Sequence, residues 1–169
     1  MDYLEYKSGR SLVKNLDILA FEAKKSDPIS GSISFLTKSK YSHVAMALWA
    51  HDRLWAVESE WPRVVIKPMS KRISQTKTGI DVYRYDIPDI DKGIKYLLDH
   101  VFVPYDIIGV IKFALAIWLK RTPNSDDKAL FCSELAALVL KNAGVEIQNP
   151  AFVSPGNLAV KERFIFKLL

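Results

Sequence analysis

The feature that most constrains this chain is the order in which its hydrophobic periods occur. Strand-like patterns fill residues 16–85, and helix-like patterns take over after residue 90. LDILAFE (16–22), SHVAMALW (42–49), DRLWAVES (52–59), RVVIKP (63–68) and GIDVYRY (79–85) are short apolar or alternating runs of strand length. Ala50, His51, Asp52 and Arg53 form a turn that makes 42–49 and 52–59 a hairpin. Between the first two runs, a short helix is expected around Ile33–Leu36. From 90 to 102, Ile90, Ile94, Leu97, Leu98 and Val101 share one helical face, with Asp89 or Asp91 as the cap. YDIIGVIKFALAIWLKR (105–121) predicts a second helix, apolar almost all round, and 132–142 a third, with Gly144 just past its end. SPGNL (154–158) reads as a turn or short helix, and RFIFKLL (163–169) as a last strand. Strands first and helices second mark an α+β fold, with one mostly antiparallel sheet and helices on one side.

The 169 residues carry no repeat, low-complexity tract or linker, so a single domain over 1–169 is expected. A net charge of +5 is compatible with an anionic surface, including peripheral membrane contact or a cell-wall polymer. The cations are scattered (Lys24-Lys25, Lys38, Lys40, Lys71-Arg72, Lys120-Arg121) and not interleaved with aromatics, so nucleic acid is not an expected partner. No run of 18 apolar residues exists to span a bilayer. The opening MDYLEYKSGRSLVK lacks the apolar stretch of a secretory leader, which sets the expectation of a cytoplasmic protein. One cysteine rules out an internal disulfide and a thiolate-rich zinc site, and neither metal nor cofactor is expected.

That cysteine, Cys132, lies in LFCSELAALVL (130–140), near the first turn of the third helix. A lone cysteine on an apolar face is ordinarily a small buried hydrophobe. At a first turn, however, unpaired N–H groups and the helix dipole favour the thiolate, the nucleophilic form. A nucleophilic thiol needs a base. His51 falls in the hairpin turn and His100 at a helix end, both surface positions. His43 opens an apolar strand, where a polar ring is costly unless it is used. Glu58 ends the next strand. A hairpin turn centred between 50 and 51 would set it directly opposite His43, where it could orient the imidazole. Glu60 has the same strand parity and is the rival carboxylate.

LDILAF, YSHVAMAL, AVES, VPYDIIGV, FCSELAALVL and SPGNLA, in that order over about residues 16–158, resemble the circularly permuted branch of the NlpC-like papain-fold cysteine hydrolases, in particular the YiiX-like amidases and peptidases. The resemblance implies a permuted papain-like fold, with Cys132 as nucleophile, His43 as general base and Glu58 as orienting group. It also implies that Tyr105 lies beside the nucleophile and assists the oxyanion hole together with the Cys132 N–H. The family strand that opens Gly-Asp-Ile reads Leu16-Asp17-Ile18 here, and Phe-Cys-Ser-Glu departs from the Asn-Cys-Glu-His type motif of the acyltransferase branch.

The expected activity is therefore thiol-dependent hydrolysis of an amide bond in a peptide, a peptidoglycan stem or an N-acyl compound. Ile107–Leu119 leaves a lipid-directed acyl hydrolase or acyltransferase as the alternative, if that segment walls an acyl chain and is not simply a buried helix. A non-catalytic binding module on the same fold is the third reading.

Overall fold

Residues 3–24, 31, 34, 35, 37–76, 78–106 and 130–169 are described by the structure, a computed structural model. The helix expected over 105–121 lies outside the described residues from 107 onward, as do Ile33 and Leu36.

Each expected strand forms. They are β1 (Ile18–Glu22), β2 (Tyr41–Ala50), β3 (Arg53–Glu60), β4 (Arg63–Pro68), β5 (Ile80–Tyr83) and β6 (Phe164–Lys167). They make one sheet in the order β4-β3-β2-β1-β5-β6, antiparallel at every step. The helices are α1 (Tyr3–Gly9), α2 (Met69–Gln75), α3 (Ile90–Asp99), α4 (Cys132–Asn142) and the single turn α5 (Pro155–Leu158). Asp89 caps α3 by accepting from the Lys92 N–H, Ser154 and Asn157 form a reciprocal capping box on α5, and Gly144 takes φ +94° just after α4.

Strand alternation gives the sheet two apolar faces. On one, Val44, Met46 and Leu48 of β2 and Val57 of β3 pack with Leu135 and Val139 of α4 and Leu97 of α3. On the other, Ala45 and Ala47 of β2 and Leu54 and Ala56 of β3 pack with Tyr6 of α1 and Met69 of α2. The expected one-sided helical layer is thus corrected: helices cover both faces. Both α1 and α2 are only seven residues long, too short for their apolar positions to establish a period.

The β2–β3 turn also differs from expectation. It is a two-residue turn at His51-Asp52, both with positive φ (48° and 58°), closed by the Ala50–Arg53 pair. Its centre lies between 51 and 52, so pairing runs through Met46–Val57 and does not set His43 opposite Glu58. Extended, the register sets Ala45 across from Glu58, and Glu58 stands diagonal to His43. The error is an even step, which leaves every side chain on its face; an odd one would have parted the two residues.

Candidate active site

The site is built where β2 and β3 part. Ala47 exchanges bonds with Leu16 and Asp17 on the β1 side (2.8 and 2.9 Å), so by alternation the Val44 N–H points toward β3. Pairing to β3 ends at Met46, while β2 continues back to Tyr41. The start of α4 enters this opening, and the Val44 N–H meets the Cys132 sulfur. The segment before the helix is tied down. The Leu130 carbonyl accepts from Ser59 Oγ at 2.5 Å, and the Leu130 N–H donates to the Pro104 carbonyl at 3.1 Å.

Cys132 is the first residue of α4 and is 8% exposed. The Phe131 side chain provides no cap, and the first-turn Ser133 N–H bonds the Cys132 sulfur. Ser133 fixes the turn by donating from Oγ to the Val153 carbonyl at 2.6 Å. Burial alone would push the thiol up. The charge and hydrogen bond of His43, with the N–H groups of Val44 and Ser133, outweigh burial and hold Cys132 below the ordinary thiol range.

His43 Nε2 lies 2.5 Å from Glu58 Oε2. That bond leaves Nδ1 as the nitrogen for the thiol. Burial pushes the imidazole down, but the Cys132 thiolate and the Glu58 carboxylate reverse this and hold it up at about 10. The Glu58 side chain is fully enclosed, which by itself would raise its carboxyl; His43, Arg72 and Lys67 instead lower it to about 2. With the thiol lowered and the imidazole raised, a proton shared between the two sits on the imidazole.

Glu58 has a cationic surround that sequence reasoning missed. Arg72 Nε of α2 donates to Oε2 at 3.1 Å and sits 2.8 Å from Oε1, and Lys67 Nζ of β4 lies 3.9 Å from Oε1. Strand alternation offered a signal for Lys67, which lies on the inward side of β4, but Arg72 sits in a short polar helix with no pattern to mark it. Phe21 was likewise unmarked; its ring packs against His43 at 5.5 Å between centroids.

The remaining candidates separate cleanly. Tyr105 lies close to the thiol, held by a bond from its N–H to the Pro62 carbonyl (2.9 Å) and a bridge to Leu130. Burial, then the Cys132 and Asp106 charges, push its phenol up, so it keeps its proton and can donate. Glu60 pairs with Lys67, not with His43. His51 occupies the turn, and His100 Nδ1 donates to the Tyr96 carbonyl (2.7 Å) while its ring stacks on the Tyr96 ring, outside the site.

No protein-family model and no curated protein matches the chain. Among solved structures it is similar to the metalloprotein YiiX from Escherichia coli O157:H7, with a TM-score of 0.66 and 18% sequence identity over 90% of this chain and 94% of that one. The fold is YiiX-like. At this identity the likeness is one of fold, and the site stands on its own geometry. Among the described residues, no helix is long and apolar enough to cross a membrane.

Proposed function

We propose that the chain is a cysteine hydrolase of amide bonds on a permuted papain-like, NlpC-type fold. The observation that carries this reading is the continuous contact from Cys132, at the first residue of α4, through His43 to Glu58. The Cys132 thiolate attacks the substrate carbonyl to form a tetrahedral oxyanion. The Cys132 N–H and the Tyr105 hydroxyl are assigned as donors to that oxygen. His43 passes its Nδ1 proton to the leaving amine, which departs as the C–N bond breaks. Water, deprotonated by the now neutral His43, then attacks the thioester. Acid leaves, the thiolate returns and His43 is protonated again. Glu58 fixes the ring and balances its charge throughout. Peptides, peptidoglycan stems and N-acyl amides are the substrate classes, in a cytoplasmic setting that suits a free thiol.

The structural neighbour is named a metalloprotein, but the donors of this site are not those of a metal centre. Among the described residues, no three of His, Cys, Asp and Glu are placed to hold an ion together. His43 and Arg72 already occupy the Glu58 carboxylate. The donor set does not fit a metal.

The test is the pH dependence of Cys132 alkylation by iodoacetamide, read by whole-protein mass, together with turnover of model peptide and N-acyl amides. Alkylation is expected to stay fast at pH 6, and Cys132→Ser to abolish turnover. A rate that climbs only above about pH 8, as for an ordinary cysteine, would overturn the reading.

A further inference from the structure

We infer that Arg72 is a positioning residue for the catalytic pair: it holds Glu58 aimed at His43 and is itself held by the face of Phe21. The inference rests on the thiol reading above and extends it to a residue on a different helix.

A glutamate has three side-chain torsions and can swing away from a histidine. Here both oxygens are restrained. Oε2 accepts from His43 at 2.5 Å, and Arg72 Nε straddles the carboxylate, 3.1 Å from Oε2 and 2.8 Å from Oε1. Oε1 is buried and, among the described residues, accepts no well-directed hydrogen bond; Arg72 and Lys67, the latter at 3.9 Å, meet its charge. Lys67 is the weaker partner because it also binds Glu60. A carboxylate shut away from water is costly without such partners.

Arg72 is fixed in turn. Its Nη1 donates to Thr76 Oγ1 at 2.9 Å, and its guanidinium lies 4.2 Å over the Phe21 ring. The same ring packs against the His43 imidazole. Arg72 therefore reaches the pair through Glu58, while the Phe21 ring, which also touches His43, holds the guanidinium in place. The charged groups around Glu58 are His43 from β2, Lys67 from β4 and Arg72 from α2. Cys132 of α4 acts on it through His43.

A positioning role and a bystander role are separable in a double-mutant cycle. If Arg72 acts through Glu58, its removal matters only when Glu58 is a carboxylate. If it acts by packing or by its own field on the thiol, removal matters equally with Gln at 58. The readout is the iodoacetamide rate at Cys132 at pH 6. Arg72→Gln is expected to slow it roughly three- to tenfold, tenfold corresponding to one pKa unit. In a Glu58→Gln background the same substitution should change the rate by less than about 1.5-fold. Arg72→Lys, which keeps the charge but not the flat face on Phe21, should give a smaller loss and serves if Arg72→Gln does not fold. Equal losses in both backgrounds, or no loss in the native background, would overturn the inference while leaving the thiol reading intact. An ordinary thiol profile in the unaltered protein would remove the thiol reading itself.

Discussion

At the scale of single residues, the decisive quantity is the proton on His43. A free imidazole releases it near 6.5, whereas His43 is held up at about 10. A raised value means the folded chain binds that proton more tightly than the unfolded chain. The resulting stabilisation is complete below about 6.5 and is lost as pH climbs from there toward 10. Cys132, lowered by the same contact, adds a contribution that grows up to the free thiol value, so the melting-temperature gap over His43→Ala should be widest between about 6.5 and 8.5 and narrow toward pH 10. A gap that kept widening toward pH 10 would show that His43 is held neutral. Glu58→Gln removes one of the two anions that raise the imidazole and leaves Cys132. The His43 titration, followed by its ring proton resonance, should then fall from about 10 without returning fully to 6.5. An unchanged titration would mean that Cys132 alone sustains it. Leu16 is another residue whose local state decides something. It has φ +64°, the region glycine favours, yet its side chain is fully buried.

Among the elements, the β2–β3 hairpin shows what a sequence states and what it withholds. His51 and Asp52 both adopt left-handed backbone, which costs an ordinary residue about 1 kcal/mol or more. Replacing Asp52 with glycine, while His51 becomes asparagine, should stabilise the fold by about 0.5–1 kcal/mol, as the Asn-Gly preference of such turns implies. Thermal melting checks this; a lower midpoint would mean the native side chains make contacts that outweigh the strain. The hairpin itself was legible because two apolar runs flank a polar tetrad. Its register was not, since neither His51 nor Asp52 announces a positive φ as glycine would. The pairing of His43 with Glu58 survived that error because parity, not exact opposition, decides which face a residue shares. Cys132 at a helix start was legible from the change of period at 130. Its entry between parted strands was not, because it depends on where a ladder stops pairing. The cationic surround of Glu58 comes from β4 and α2, elements that join the site only in three dimensions.

At the level of the whole molecule, two cores back a single sheet, and the first of them depends on a close approach of α3 to α4. Gly93 is the contact point. A Cβ built there would lie 2.6 Å from Leu16 Cδ1 and 2.9 Å from Ala143 Cβ. The leucine that fills the turn before β1 thus occupies the space that the glycine of α3 leaves. Gly93→Val should overpack this junction. Helix propensity returns only a few tenths of a kcal/mol, whereas forcing atoms into a filled core costs about 1–3 kcal/mol, so the clash wins. For a chain of this size, that lowers the melting midpoint by roughly 4–8 °C for a 2 kcal/mol loss. Leu16→Ala is destabilising alone, since it deletes a fully buried side chain at a cost of about 2–5 kcal/mol. Combined, the two losses should sum to less than their separate values, because the valine fills part of the cavity that the alanine opens. Ala143 cannot yield in the same way, so the rescue is partial. Cys132 lies at the opposite end of α4 from Ala143, and its alkylation profile should be unchanged in every folded variant of this set. Strict additivity in the melts would show that Leu16 and Gly93 do not share that space. A shifted thiol profile would show that the α3–α4 junction and the parted strands are coupled through the length of α4.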